Sequence, residues 1–381
     1  MDFTWSDEQT ELFDAIEKFA RKELNDNLIE NNRNCTFNRD GWKKCADFGI
    51  QSLSVPEEHG GLGLDPLTTV GALDRLGYAC RDNGLVFSLN AHMWTVVMPL
   101  ISFGTEEQKE KFLPGLLDGS LIGANATSEP GAGSDAYSLR TTATLDGDKY
   151  ILNGNKTWVT NGPVADLSVV YATVDKSKGP QGVTAFFVEK DAPGLRVGEE
   201  LEKMGIRTSP MSELFFDDCE IPVANRLGKE GAGTNLFTHA MIWERGCILA
   251  NAVGSMQHIM ETCIAYAKQR KQFGQSIGKF QAVADKIVAM KLRLESARLL
   301  LYKGAWERSQ GKSAFLEAAM TKLYLSDCWV RTCEAAIQIH GASGYMVEYE
   351  IERELRDAIA SRLYSGTDEI QRSIIASMLG L

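Results

Sequence analysis

The hydrophobic period of the chain changes twice, and those changes constrain its fold more than any single motif. Up to about residue 120 the apolar residues recur at helical spacing. Ser6 and Gln9 form a capping box ahead of Leu12, Phe13, Ile16, Phe19 and Ala20, which predicts an amphipathic helix ending near Asn25. A second helix is expected over Arg39 to Phe48, then a break at Pro56 to Gly63, then helices from Pro66 to Leu117. From Leu121 to about Arg226 the pattern shortens to runs of β-branched and aromatic residues, such as 149–152, 167–174, 183–188 and 213–216. These runs predict a small antiparallel β-domain, with Asn153-Gly154 as the tight turn of a hairpin. After Thr234 the helical period returns in long stretches, 234–270, 276–310 and 313–340, with shorter helices after Glu348 and Asp368. Val283, Ile287, Met290, Leu294 and Ala297 mark the buried stripe of the second stretch, as in a four-helix bundle. The expected class is α+β in three domains: helical over 1–120, β over 121–230, and a helical bundle over 231–381.

Composition narrows the function. The 40 basic and 51 acidic residues leave a net charge of −11, which argues against nucleic acid as the main partner. The eight cysteines form no C-x-x-C pair and no metal-ligand spacing with histidine, so they read as reduced core thiols of a cytoplasmic protein without a metal centre. No apolar run approaches bilayer length, and Met1-Asp2-Phe3-Thr4 leads straight into the capped helix. Neither a membrane span nor a cleaved leader is expected.

Two stretches offer a ligand site. Thr127-Ser128-Glu129-Pro130-Gly131-Ala132-Gly133-Ser134-Asp135 is a loop of small residues rich in hydroxyls and backbone N–H groups, where glycine permits close approach to a flat or anionic ligand. In Lys156-Thr157-Trp158-Val159-Thr160-Asn161-Gly162, Trp158 and Thr160 alternate on a strand and should share one side. A loop of donors facing an aromatic plate suits the ring system of a flavin, although a β-domain with a core tryptophan would carry the same residues.

Together the two stretches resemble the flavin signature of the acyl-CoA dehydrogenase family, and further matches extend the resemblance over essentially the whole chain. It implies the three-domain α–β–α fold, FAD as cofactor, and a homotetramer. It also implies flavin contacts at Ser134, Trp158 and Thr160, with backbone help around Ser128. Arg270-Lys271-Gln272-Phe273-Gly274 and Gln281 resemble the segment that reaches the dinucleotide of a neighbouring subunit. Arginine suits that task because its planar fork binds phosphate oxygens bidentately, although Arg270 read alone is a solvated charge at a helix end. Gln338-Ile339-His340-Gly341-Ala342 resembles the loop that holds FAD across a dimer, with Ala342 in place of a usual glycine. Gln338, Gly341, Thr367 and Glu369 complete the cofactor set implied by the resemblance.

Ser365 is the informative departure. Many members carry their catalytic glutamate there, and a serine hydroxyl is too weak a base to replace it. Trp243-Glu244-Arg245 resembles the segment in which the isovaleryl-CoA and long-chain branches carry the base, so Glu244 is the expected base and the backbone N–H of Ser365 an expected donor to the thioester oxygen. Ile242 stands where many coenzyme A users have an aspartate beside the pantetheine arm. Trp94, Met241, Trp243 and Tyr364 are expected to narrow the acyl pocket, of which Arg245 is also an expected member, and His92 and Asn125 are expected near flavin and acyl group. The branch most resembled oxidises prolyl groups tethered to a carrier protein. Alternatives are a short or branched-chain acyl-CoA dehydrogenase and a non-catalytic flavoprotein scaffold. The expected electron acceptor is O₂ or an electron-transferring flavoprotein, with a protonated His92 favouring oxygen.

Overall fold

In the computed structural model, residues 4–381 are described, so Met1 to Phe3 and the expectation attached to them lie outside it. The first helices are α1 (Asp7–Glu23), α2 (Leu28–Asn34), α3 (Arg39–Phe48), α4 (Pro66–Ala79), α5 (Asn83–His92), α6 (Met98–Phe103) and α7 (Glu106–Leu117). The Ser6–Gln9 capping box closes both ways at the start of α1. A π-helical turn, Met93–Val97, joins α5 to α6 without a break. The resulting 21-residue helix, Asn83–Phe103, is apolar and long enough to cross a membrane, contrary to the sequence expectation. It is almost wholly buried, as the central helix of a folded core is.

The central strands are β1 (Gly123–Ala126), β2 (Thr142–Asp146), β3 (Lys149–Thr160), β4 (Leu167–Thr173), β5 (Val183–Glu189), β6 (Leu195–Val197), β7 (Met211–Pro222) and β8 (Arg226–Leu227). They order as β6-β7-β3-β2-β4-β5-β8, with β1 beside β4. The sheet is not purely antiparallel: β1 runs parallel to β4 over four pairs. The tight turn is also not where the Asn-Gly signal put it. Gly147-Asp148 links β2 to β3, with Asp146 opposite Lys149, and Asn153-Gly154 lies inside β3 at a register shift. There the Asn153 side chain bonds Asp218 of β7 in both directions, and Gly154, at φ 145, leaves space that a Cβ would fill against Thr141.

The last part comprises α8 (Gly233–Cys247), α9 (Ala250–Gln269), a hairpin of β9 (Lys271–Gln272) and β10 (Gln275–Ser276), α10 (Gln281–Ser309), α11 (Phe315–His340), α12 (Ile351–Ala360) and α13 (Asp368–Met378). The expected single helix over 234–270 divides at Ile248-Leu249, giving α8 and α9. One hydrophobic core runs through both helical regions, from Phe13 and Leu76 to Met256, Leu294 and Trp329. The two regions meet where α4 crosses α9: a Cβ on Gly77 would lie 2.0 Å from the Asn251 carbonyl oxygen, so only glycine permits that approach. Asp74 of α4 also receives Arg298 through two bonds and the Tyr302 hydroxyl at 2.7 Å, tying α10 into the same block. A second core, containing Val96, Leu100, Phe187 and Leu236, lies where the sheet meets α6, α7 and α8, and so places α8 on the central sheet.

Candidate active site

Glu244 is the centre of the site. It lies on α8, is 8% exposed, and its Oε1 accepts the Ser365 hydroxyl at 2.8 Å. Burial raises its pKa, while the Ser365 bond and the cations Arg245 and Lys322 act the other way. Arg245, one residue on, donates from Nε to the Ser365 carbonyl at 2.9 Å, so it fixes the loop facing Glu244. The Gln371 amide donates to the carbonyls of Ser365 and Gly366. Ser365 sits at φ 57, in the left-handed region that an L-residue enters only at a cost, and those bonds hold it there. The sequence reading assigned Ser365 a backbone role alone; the structure adds its side chain, bonded to the carboxylate.

Aromatic rings close the surroundings. Trp94 and Trp243 stack in parallel with centroids 5.6 Å apart, and Phe87 packs on Tyr364 at 4.6 Å. The Trp94 indole N–H is spent on Asn90 at 2.7 Å. Met241 is buried on α8, and among the described residues the buried Tyr171 hydroxyl has no hydrogen-bond partner. Burial, followed by the charge of Glu244, pushes the phenols of Tyr171 and Tyr364 upward, so both stay neutral.

His92 does not do what the sequence suggested. It is fully buried, Nε2 donates to the Leu116 carbonyl at 3.0 Å, and Nδ1 accepts the Gly123 N–H at 2.9 Å. That pair of bonds requires the neutral ring, and burial lowers its pKa to about 4. With its edge against Trp42, it is a brace between α5, α7 and β1 rather than a protonated group beside a flavin. Asn125, half-buried on β1, accepts the Thr127 hydroxyl at 3.2 Å.

On the sheet, Trp158 occupies a bulge between Lys156 and Val159, at φ 54 and 57% exposed. The extra residue turns the indole outward, so a kink, not even alternation, presents it. Thr160 is half-buried two residues on, Ser134 is exposed in the glycine loop and Ser128 is half-buried at its start. The Ser128 carbonyl accepts the Thr157 N–H at 2.9 Å, joining loop to strand. Behind that joint lies an ion pair the sequence reading passed over. Lys156, wholly buried, donates to Glu129 at 2.8 Å and to the Thr127 carbonyl at 3.0 Å, while Glu129 also accepts the N–H groups of Arg140 and Thr141. Burial lowers the Lys156 pKa to about 8, against the pull of Glu129. Both residues stand inside the two quoted motifs, which is the signal that could have found them.

The remaining cofactor candidates lie elsewhere. Phe273 and Gly274 form the two-residue turn of the β9–β10 hairpin, both at positive φ, with Phe273 93% exposed; Arg270 and Gln281 flank it, also exposed. Gln338 and Gly341 are exposed at the end of α11, and Thr367 caps α13 with Glu369 in its first turn. The hairpin packs mainly on α9 and the 341–345 turn on α11 and α12, so neither completes the Ser134–Trp158 site within one chain. Lys322, also unforeseen, is buried and donates to Asp368 at 3.0 Å, anchoring the start of α13. The donor-rich loop, the outward indole and the exposed Arg270–Phe273 turn fit a long dinucleotide with a flat ring at one end.

The chain is similar to known proteins over its whole length. Models of the acyl-CoA dehydrogenase N-terminal, middle and C-terminal domains match residues 6–120, 124–219 and 231–380. An L-prolyl peptidyl-carrier protein dehydrogenase of a Serratia species is 42% identical over 100% of this chain and 99% of its own. The crystal structure of the prolyl acyl carrier protein oxidase AnaB superposes with a TM-score of 0.98 at 54% identity, covering 99% of this chain and all of that one. A structure described as PigA with FAD and proline gives a TM-score of 0.98 at 42% identity, with both chains fully covered.

Proposed function

The chain belongs to the acyl-CoA dehydrogenase family, and from that premise we propose that it is an FAD-dependent enzyme that oxidises the Cα–Cβ bond of a prolyl thioester on a carrier protein. The observation that carries the reading is the buried Glu244 carboxylate bonded to Ser365, with its neighbour Trp243 stacked on Trp94. Ser134, Trp158 and Thr160, with the Ser128 backbone, would hold the flavin ring. Arg270, Phe273, Gln281, Gln338, Gly341, Thr367 and Glu369 would hold the rest across subunits. Bound FAD supplies the acceptor for the hydride that leaves Cβ.

The protein's own groups do the remainder. Glu244 takes the Cα proton. Its Oε1 is occupied by Ser365, and among the described residues Oε2 has no partner, so Oε2 is the receiving atom. Burial keeps water away and makes the carboxylate a stronger base than a solvated one. The Ser365 N–H, which has no acceptor among the described residues, is free to bond the thioester oxygen as negative charge develops there. Loss of both hydrogens gives a ring enamine that tautomerises to a pyrroline imine.

Oxygen is the proposed electron acceptor, supported by likeness to AnaB, which is described as an oxidase; an electron-transferring flavoprotein is the alternative. His92, neutral and bonded through both ring nitrogens, supplies no charge that would favour oxygen. A homotetramer in the cytoplasm is the proposed state, supported by exposed Phe273 and by Val288, Leu292 and Leu299 along the outer face of α10. Anaerobic mixing of the flavin-loaded protein with prolyl-carrier protein, beside butyryl-CoA and isovaleryl-CoA, tests the reading. Flavin bleaching by the prolyl thioester is expected. Bleaching by the acyl-CoAs alone would replace it with the short-chain alternative.

A further inference from the structure

Asp357, on α12, is 2% exposed and accepts two hydrogen bonds, from the Ile206 N–H at 2.5 Å and from the Asn83 side-chain amide at 3.1 Å. Among the described residues no lysine or arginine forms an ion pair with it; Arg81 and Arg353 pair with Glu354, one turn back on α12, instead. Burial raises the Asp357 pKa to about 6, with the charge of Arg353 acting the other way. Ile206 is costly as well, since φ 50 lies in the left-handed region, where a β-branched residue is an outlier. A buried carboxylate without an ion pair and a strained backbone each persist only where the surrounding structure holds them. Here the two costs meet in one hydrogen bond.

That bond secures a turn, 205–208, wedged between α5 and α12. A Cβ on Gly205 would lie 2.1 Å from the Arg356 carbonyl oxygen, and a Cβ on Gly84 would lie 2.0 Å from the Thr208 hydroxyl oxygen. Thr208 also donates to Asp82, whose carboxylate caps α5 by accepting the Leu85 N–H at 3.0 Å. Asn83, the first residue of α5, spans the remaining gap, because its amide donates both to Asp357 and to Glu354 at 3.0 Å. One turn along α5, Phe87 packs on Tyr364, with ring centres 4.6 Å apart. Tyr364 stays close to the end of α12, its N–H on the Ala360 carbonyl at 3.2 Å, and it directly precedes Ser365, which bonds Glu244. The joint therefore fixes α5 against α12, and the contact those elements make next adjoins Ser365. Resting on the function proposed above, we propose that Asp357 is a positioning residue for the dehydrogenation site: by joining α5 to α12 it sets the loop that holds the Ser365 hydroxyl on Glu244.

Asp357→Asn in the flavin-loaded protein tests this. The new amide oxygen can still accept the Ile206 N–H, but its NH₂ would face the NH₂ of Asn83, donor against donor. Asn83 cannot turn over to meet it, because the same NH₂ is bonded to the Glu354 carboxylate. The link between α5 and α12 is lost while a buried charge is removed, so the variant should keep its FAD and the wild-type Tm. With the Ser365 hydroxyl less well held, the acidic limb of single-turnover flavin reduction should move to higher pH by up to about one unit, a tenfold change. Loss of a negative charge by itself would move it the other way. Ser365→Ala should then shift the limb much less beside Asp357→Asn than it does in the wild type, because the two changes remove the same interaction. Asn83→Ala cuts the link from the α5 side and should move the limb in the same direction. A limb that stays in place in either variant, or a Ser365→Ala shift undiminished beside Asp357→Asn, would overturn the assignment. Loss of FAD or of folding in both variants would also overturn it, making the joint a support for the fold as a whole. If no prolyl thioester reduces the wild-type flavin, the function proposed above fails, and butyryl-CoA serves for the same pH measurement.

Discussion

Replacing Ser365 with alanine should change the pH dependence of the enzyme more than its maximal rate. The Ser365 hydroxyl donates to Glu244 Oε1 at 2.8 Å, which favours the ionised carboxylate against the burial that disfavours it. A hydrogen bond to a charged group contributes about 1.5–3 kcal/mol, and the protonated acid retains part of it, so the net loss is about 1.4 kcal/mol, or tenfold in proton affinity. The sign follows: without the hydroxyl Glu244 binds its proton more tightly, and as a base it works only when ionised. On the acidic limb of kcat the variant should therefore run at about a tenth of the wild-type rate. At the alkaline plateau it should fall by no more than about threefold, because the Ser365 N–H and the Glu244 carboxylate both remain. Ser365→Gly also removes the hydroxyl while relieving the left-handed backbone at φ 57, and should shift the limb in the same way with no loss of stability. The assay is single-turnover flavin reduction across pH. An acidic limb that stays in place in both variants, or a loss equal at every pH, would refute this coupling.

Glu244→Gln should fold and keep FAD, since its amide oxygen can still accept the Ser365 hydroxyl, yet slow anaerobic flavin reduction by about 10²- to 10⁴-fold. His92→Ala should lower stability to chemical denaturation by about 2–5 kcal/mol, because it strands the Leu116 carbonyl and the Gly123 N–H, without changing flavin reoxidation by oxygen in the protein that stays folded. Glu129→Gln leaves the Lys156 ammonium buried without its counter-ion and should cost about 3–5 kcal/mol in stability, with weaker FAD retention on dialysis. Phe273→Asn, a residue that tolerates the left-handed turn, should preserve the hairpin but lower flavin content, read from the absorbance ratio, and loosen the oligomer, read by sedimentation.

The helical regions were legible because their signals are local. The Ser6–Gln9 box and the Arg39–Phe48 helix need only neighbouring residues to form, and both appear as read. The break at Ile248-Leu249 was not legible: apolar residues continue at helical spacing on both sides, and the interruption lies in the backbone. Asn153-Gly154 misled for a related reason. The pair carries the strongest short turn signal, but the reciprocal bonds between Asn153 and Asp218 and the closeness of Thr141 show it serving a bulge within a long strand. That requirement comes from β7 and from residue 141, which no local window contains. The parallel pairing of β1 with β4 is likewise set by tertiary packing.

In the site, sequence identified the residues better than their roles. Glu244 could be named because Ser365 vacated the other position for a base, an inference from chemistry that needs no coordinates. What could not be seen is that the two touch. Glu244 belongs to α8 and Ser365 follows α12, and bonds such as those of Arg245 and Gln371 to the loop help bring hydroxyl and carboxylate together. The converse holds for His92. A lone histidine near an expected flavin invites a catalytic role, yet the carbonyl and N–H that occupy its ring belong to α7 and β1, 24 and 31 residues away. Lys156 sets the limit most clearly. It is a basic residue that sequence alone would place in solvent, and burial beside a carboxylate reverses that expectation. Lys156 has Glu129 and is complete within the chain, so it supports the loop above it.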